Sequence, residues 1–429
     1  MPDIPDTSDM PDTPNTKRII AHSDLNCFYA GVEMLRNPRL RNVPTAVCGS
    51  VQERHGIVLT ANYIAKRQGV KTGMANWEAK SICPNLYIVK PHYDSYIQFS
   101  SFTREIYADY TDRVEAFGLD ENWLDLTGYV SSFSEGEKTV NIIRERIKNE
   151  LGLTVSIGLS FNKVFSKLGS DLKKPDACTF IPPERFKEII WPLPVGDLLF
   201  VGRATKTKLL NYNIRTVGDL ANADFMRIKN NLGKTGVMLQ SFAKGEDSSP
   251  VLNIDYEIPV KSVSNSHTAP RDLKTDKDVK IIITALSESV SARLMKQRFK
   301  ASVVEFSYLI TDMSLYATRQ AALPRPTNIS SEISEAAFML FKRAYGNWSR
   351  PLRKIGVKAA CLTDENIPFQ TSLFENIKDT VKAENLERMI NALRDRYGRN
   401  IIQRAFMFTD KELSGYNPSA IHSAALPAR

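Results

Sequence analysis

Near the middle of the chain the stretch GEDSSPVLN, residues 245–253, breaks every periodic pattern on either side of it, and its polar, Gly- and Pro-containing composition marks a linker. A chain of 429 residues is also too long for a single core, since cores stop growing at roughly 250–300 residues. Several packed units are therefore expected, with the main linker at 250–257. Beyond it the patterns run strand 257–266, helix 275–297, strand 301–311, strand 314–321, helix 330–345 and strand 353–362. That order, β-α-β-β-α-β, lets each helix cross a sheet and predicts a separate domain over 258–364.

Before the break, RIIAH (18–22) is a short apolar run that ends in Ser23-Asp24 and is followed by FYAGVEML with helical spacing, a strand, sharp turn and helix. Two β-rich runs follow, PTAVCGS (44–50) and GIVLTANY (56–63), then a helical NWEAKSICPN and the strand LYIVK (86–90). A helix near 94–112 leads to an alternating, Gly-bounded hairpin over 114–128. A helix from 134 to 150, the strand LTVSIGLS and the lysine-rich helix NKVFSKLGSDLKKP close an α+β segment over 17–182. From 183 to 249 the pattern is short and helical. The last 65 residues, 365–429, carry QTSLF and an amphipathic helix, ENLERMINALRDRYG.

No apolar run approaches the ~20 residues of a membrane span, which excludes a helical membrane protein. Residues 1–16 hold four Asp, four Pro and no basic residue, the reverse of a signal peptide, and read as a disordered acidic tail. Five cysteines without CxxC or Cys/His ligand spacing indicate neither a zinc site nor a disulfide framework, and predict reduced thiols in a cytoplasmic protein. The net charge is +9, and the residues after the acidic tail carry +13. The excess is concentrated: 258–364 has 17 Lys/Arg against 9 Asp/Glu, which suits an anionic partner as well as a solvated surface.

Asp24 and the adjacent pair Asp120-Glu121 are the sharpest chemical signal. Three carboxylates suffice to hold two magnesium ions, which bind hard oxygen ligands and sit roughly 4 Å apart in two-metal sites. Neighbouring side chains on a straight strand face opposite ways, so Asp120 and Glu121 converge only at a bend, which Gly118 permits. By spacing alone, a helix cap at Asp24 and a turn at 120–121 stand beside that reading.

Taken in order, SDLNCFYAGVE (23–33), TANYIAKRQGVKTGM (60–74), GLDENWLD (118–125) and SIGLSFNKVFSKLGSDLKKP (156–175) resemble the catalytic half of the Y-family DNA polymerases, the DinB and UmuC type. The resemblance runs on through the β-α-β-β-α-β segment and covers about 17–375; its finer likeness is to UmuC-like UV-damage repair polymerases of Gram-positive bacteria and their phages. It implies an α+β right-hand polymerase: palm 17–27 and 92–182, fingers 28–91, helical thumb 183–249, and little finger 258–364. The implied activity is template-directed, low-fidelity DNA synthesis past lesions, without proofreading, on primer-template DNA and deoxynucleoside triphosphates. A silent DNA-binding scaffold and a nucleotide cyclase are the rival readings. The carboxylate trio opposes the first, and a duplex-gripping domain the second.

By motif, Asp24, Asp120 and Glu121 match the family's metal ligands, with the Leu25 carbonyl beside them. Tyr29 matches the steric gate against a ribose 2′-hydroxyl; packed in the core it would be an ordinary aromatic. Thr60, Tyr63, Lys66 and Lys174 match contacts to the triphosphate. Lysine at 66 departs from the commoner arginine and lacks its planar fork, so Arg67 is a candidate to share the task. The segment VGRAT resembles a helix-hairpin-helix in which Val201, Gly202 and Thr205 lie near a DNA phosphate, although Phe200 replaces the usual first glycine. Arg293, Lys296, Arg298 and Lys300, with Arg353, Lys354 and Lys358, form the basic set expected to grip the duplex backbone. Gln370-Thr371-Ser372-Leu373-Phe374 resembles the Q-x-S/D-L-F peptide by which bacterial polymerases dock on the sliding clamp; Leu373 and Phe374 packing back on the chain is the alternative.

Overall fold

The computed structural model describes residues 17–49, 56–346, 350–367, 377–398 and 401–414. The 1–16 tail and Gln370, Leu373 and Phe374 lie outside the described residues. The described chain divides into two compact units, one of residues 17–48 with Val58–Glu257, and a second that takes up the chain from Ile258.

The first unit is built on a five-stranded sheet in the order β5 (Val114–Ala116), β6 (Glu121–Asp125), β1 (Ile20–Leu25), β7 (Val155–Ser160), β8 (Cys178–Phe180). β1 lies between two antiparallel neighbours, and all six of its residues are buried. On one face, Ala21, Leu25, Leu124 and Ile157 pack against α4 (Tyr93–Ala108) and α5 (Phe133–Arg146), which bring Tyr96, Tyr107, Val140 and Ile143. The other face carries α6 (Lys163–Leu172), whose approach to β7 is so close that a Cβ on Gly158 would lie 2.0 Å from the Ser166 carbonyl oxygen. Only glycine fits there.

A three-stranded sheet, β3 (Val58–Ala61), β2 (Thr45–Cys48), β4 (Tyr87–Val89), holds a small core of Ala46, Cys48, Ala61, Ala65, Ala79 and Cys83 beneath α2 (Tyr63–Arg67) and α3 (Asn76–Ile82). α1 (Phe28–Arg36) follows β1 after a left-handed turn at Cys27, φ 42. Helices α7 (Phe186–Ile190), α8 (Arg203–Asn211), α9 (Val217–Asn222) and α10 (Phe225–Lys244) share one core with Phe161, Phe165 and Leu168 of the α6 region. α10 is kinked where Gly233 takes φ 61.

The second unit holds a four-stranded antiparallel sheet in the order β11 (Tyr316–Thr327), β10 (Phe299–Ile310), β12 (Leu352–Asp364), β9 (Ser262–Leu273), with α11 (Asp276–Lys296) and α12 (Ser330–Tyr345) packed on one face. β9 starts later than the 257–266 pattern predicts. Ahead of that pattern the chain is tied to the first unit's own sheet edge, the Leu252 amide donating to Glu115 at 3.0 Å and the Ile254 amide to the Asp112 carbonyl at 2.9 Å. Pro270 in β9 and Pro324 and Pro326 in β11 lie on the two edge strands, where a missing N–H breaks no ladder. α13 (Ile377–Tyr397) is held to this unit by ion pairs, Glu384 to Lys300 at 2.7 Å and Arg394 to Glu288 at 2.9 Å, while Leu386, Met389 and Leu393 are exposed. α14 (Lys411–Ser414) adds Leu413 to the core.

Candidate active site

Asp24, next to last in β1, lies on the α6 face of the sheet, and the register sets it opposite Glu121, the first residue of β6. Gly118, at φ 104, makes the bend before them, and the Leu25 amide donates to the Asp120 carbonyl at 3.0 Å. The bend brings Asp120 to the same end of the sheet as Asp24 and Glu121, and all three line one cavity.

α6 and the loop after it answer these carboxylates with cations. Lys174 Nζ lies 2.7 Å from Asp24 Oδ2 and 2.8 Å from Asp171 Oδ1, and Lys167 Nζ lies 2.5 Å from Glu121 Oε2. Burial pushes the Asp24 carboxyl above its ordinary value in spite of Lys174. Burial, then the charges of Asp24 and Glu121, push Asp120 up to about 6. At Glu121 burial acts upward too, but its donors win and hold the carboxyl below the usual range. The neighbours that lower it are His22, fully buried with Nε2 3.5 Å from Glu121 and Nδ1 2.8 Å from the Ser170 hydroxyl, and the Lys167 cation at 2.5 Å.

The cavity, about 340 Å³, is lined by Asp24, Leu25, Tyr29, Thr60, Tyr63, Lys66, Asp120, Glu121 and Lys174, together with Asn26, Cys27, Phe28, Leu59 and Thr72. Every residue expected from motif at the metals and the nucleotide is present in it. Lys66 stands over the Tyr63 ring at 4.9 Å, whereas Arg67 is not among the lining residues. Among the described residues no group of three His, Cys, Asp or Glu is drawn together as a ready metal cage. The carboxylates face lysines instead. The donor set still fits divalent magnesium: it is all hard oxygen and it opens on one cavity.

Several supporting residues carried no motif signal beforehand. Asn62 caps α2 through the Ala65 amide at 3.0 Å and donates to the Val43 carbonyl at 2.8 Å, which fixes Tyr63 and Lys66 over the sheet; such a cap is worth ~1 kcal/mol. Asp176 orients the loop of Lys174: its amide donates to Asn26 Oδ1 at 2.8 Å, and its carboxylate takes Lys148 Nζ at 2.7 Å and an Arg144 guanidinium nitrogen. Glu33 and Tyr96 lie behind Tyr29, whose ring stacks on Tyr96 with centroids 4.3 Å apart and planes 11° from parallel. The Asn62 cap is a local signal, but the Asp176–Asn26 and Glu33–Tyr96 contacts, 150 and 63 residues apart, appear only where distant segments pack.

The residues proposed for DNA contact are placed unevenly. Val201 is buried and its amide donates to the Leu198 carbonyl at 3.0 Å, while the Gly202 amide donates to Phe200 at 3.1 Å. Gly202 is the N-cap of α8, so the first-turn amides of Arg203, Ala204 and Thr205 are those with no carbonyl one turn back. Phe200 takes the left-handed φ of 67 that a glycine would occupy without strain. Lys296 and Arg298 are exposed, Arg293 is partly buried and donates to the Ser264 carbonyl at 2.8 Å, and Lys354 and Lys358 share the open face of the sheet, Lys358 pairing with Glu305 at 3.3 Å. Lys300 corrects the expectation of a surface set: it is 8% exposed, and its charge is committed to Glu384.

Residues 23–171 match the impB/mucB/samB family, residues 260–373 match the C-terminal domain of that family, and residues 196–247 match the thumb domain described for DNA polymerase iota. The DNA polymerase IV of Acetivibrio thermocellus is 49% identical over 399 residues, 93% of this chain and 99% of that protein. DNA polymerase IV 1 of Bacillus subtilis is 35% identical over 400 residues, 93% of this chain and 95% of its own. Among solved structures, a Y-family DNA polymerase chimera of Dbh and Dpo4 superposes with a TM-score of 0.72 at 24% identity, covering 81% of this chain and 99% of the chimera, which supports the α+β polymerase fold. With identity sustained over nearly the whole of both chains, this protein belongs to the Y-family DNA polymerases, on the DinB side that carries the name DNA polymerase IV.

Proposed function

We propose that the protein extends a DNA primer by template-directed addition of deoxynucleotides at the Asp24, Asp120 and Glu121 cavity, with two magnesium ions held by those carboxylates and the Leu25 carbonyl. The observation that carries the reading is the meeting of four separated segments in one cavity, which brings three carboxylates together with Thr60, Tyr63, Lys66 and Lys174. Magnesium bound there would supply activation of the primer 3′-hydroxyl and stabilisation of the leaving pyrophosphate. The chain's own residues bind and orient. Lys174, which meets Asp24 across 2.7 Å, exchanges that carboxylate for an incoming phosphate and so frees a ligand as the nucleotide enters. Tyr29 excludes the ribose 2′-hydroxyl.

The α8 first turn, with Thr205, the exposed Lys296 and Arg298, and the half-buried Lys354 on the open face of the sheet contact phosphates of primer-template DNA without reading sequence. The small-residue core of the three-stranded sheet supports an open site that admits damaged templates, in keeping with translesion synthesis. Gln370, Leu373 and Phe374 dock on a sliding clamp. Primer extension with and without magnesium, beside fluorescence anisotropy of primer-template binding, tests the reading. Asp24→Ala, Asp120→Ala or Glu121→Ala each abolish extension and leave DNA affinity nearly intact. Near wild-type extension by the Asp120→Ala, Glu121→Ala double variant sinks it.

A further inference from the structure

Glu33 is 3% exposed, one helical turn after Tyr29 on the same face of α1. Its Oε1 accepts from the Tyr96 hydroxyl at 2.6 Å and from His92 Nδ1 at 2.9 Å, and Arg36 stands 3.8 Å away. Tyr96 is fully buried; burial, then the Glu33 carboxylate, push its phenol well above the ordinary tyrosine range, so the hydroxyl is a fixed donor. Tyr93 meets Tyr29 and Tyr96 edge-on, at 6.1 Å and 5.8 Å.

We propose that Glu33 is a positioning residue for sugar selection: through its hydrogen bond to Tyr96 it holds the ring on which Tyr29 stacks, and so sets the tilt of the face Tyr29 turns to the nucleotide sugar. The inference rests on the reading of Tyr29 as the residue that excludes a 2′-hydroxyl. Rejecting one oxygen atom requires a ring whose plane is fixed to a few tenths of an ångström. Stacking alone is worth ~0.5–1.5 kcal/mol and cannot fix Tyr29 against a partner that itself rocks. A hydrogen bond to a charged group, ~1.5–3 kcal/mol, immobilises that partner. Stability does not explain the buried carboxylate, because apolar side chains of similar volume commonly do as well or better in such positions. Its donors all come from the α1 and α4 segments that carry Tyr29 and Tyr96.

The test measures kcat/KM for a deoxynucleotide and the matching ribonucleotide, with the full-length protein and its Tyr29→Ala, Tyr96→Phe, Glu33→Leu and Glu33→Gln variants. Tyr96→Phe keeps the stacked ring and removes only the hydroxyl. The ribonucleotide-to-deoxynucleotide ratio should rise about 5-fold in Tyr96→Phe and Glu33→Leu, the equivalent of ~1 kcal/mol of lost restraint. Glu33→Gln, which keeps an acceptor oxygen, should recover most of the wild-type ratio, and combining Tyr96→Phe with Glu33→Leu should add nothing to either. A merely structural role lowers both substrates together and leaves the ratio where it was. If Tyr29→Ala raises the ratio while Tyr96→Phe and Glu33→Leu leave it unmoved, Glu33 has no part in selection and the inference fails alone. If Tyr29→Ala leaves the ratio unmoved, the reading of Tyr29 fails and the inference falls with it.

Discussion

Asp24 and Glu121 stand directly opposite each other on neighbouring antiparallel strands, two carboxylates in cross-strand register at the end of the sheet. Like charges so placed oppose sheet pairing. Lys174 and Lys167, at 2.7 Å and 2.5 Å, offset them one each, whereas Asp120, in the same cavity, is raised by burial and then by both carboxylates. Function therefore costs this fold stability, and the cost is measurable.

Burial, then the charges of Asp24 and Glu121, push the Asp120 carboxyl up to about 6 from 3.8. Between those values the folded state binds more protons than the unfolded one, so stability in metal-free buffer falls as pH rises from about 4 to 6 and stays reduced above that. The loss is on the order of 2–3 kcal/mol at neutral pH. Asp120→Asn should raise the melting temperature at pH 7.5 without metal, have little effect near pH 3.5, and abolish extension. Magnesium should stabilise the wild type more than the variant. Equal melting at both pH values would refute the assignment.

Gly158→Ala should destabilise the first unit by ~3 kcal/mol or more, because the new methyl meets the Ser166 carbonyl and the Ser170 amide of α6, backbone atoms that cannot step aside. Gly202→Ala, where nothing lies within 4 Å of the added carbon, is the control and should cost less than ~1 kcal/mol. Chemical denaturation followed by circular dichroism distinguishes them.

Lysines of the second unit should divide by burial. Replacing Lys296, Arg298 and Lys354 by Ala should weaken DNA binding at 100 mM salt and reduce the slope of log K against log salt by about 0.9 for each phosphate no longer neutralised. Lys300→Ala should leave that slope as it is and cost ~3 kcal/mol, because Glu384, whose side chain is 14% exposed, is left without its partner. A reduced slope in Lys300→Ala would return this residue to the DNA-binding set.

Leu373→Ala with Phe374→Ala should leave distributive extension on short primers unaltered and remove stimulation by a loaded clamp, since tethering raises effective concentration without any new grip on DNA. Full stimulation of the double variant would show the peptide to be structural.

The α+β class, the polar break and the β-α-β-β-α-β order were legible in the sequence because each depends on local periodicity or on composition within a few residues. The cavity residues were legible for a different reason: metal and phosphate chemistry restrict the residue types, and Asp24, Asp120, Glu121, Lys66 and Lys174 stand in motifs where those types fall in order. What carried no local signature is how the site is held. Lys167 reaches Glu121 across 46 residues, Lys174 reaches Asp24 across 150, and Asp176 is tied to Asn26 across 150. Lys300 shows the converse. In the sequence it is one more charge in a basic run, and only the return of α13 over the sheet places Glu384 beside it and removes it from the surface. Tyr29 belongs to both classes: its position in a motif marks it as the proposed gate, but its ring stacks on one 67 residues further on, whose hydroxyl donates to the Glu33 carboxylate. Types and spacings are written along the chain, whereas orientation and charge balance arise only when distant segments pack, because burial and proximity set the energies of ionised groups.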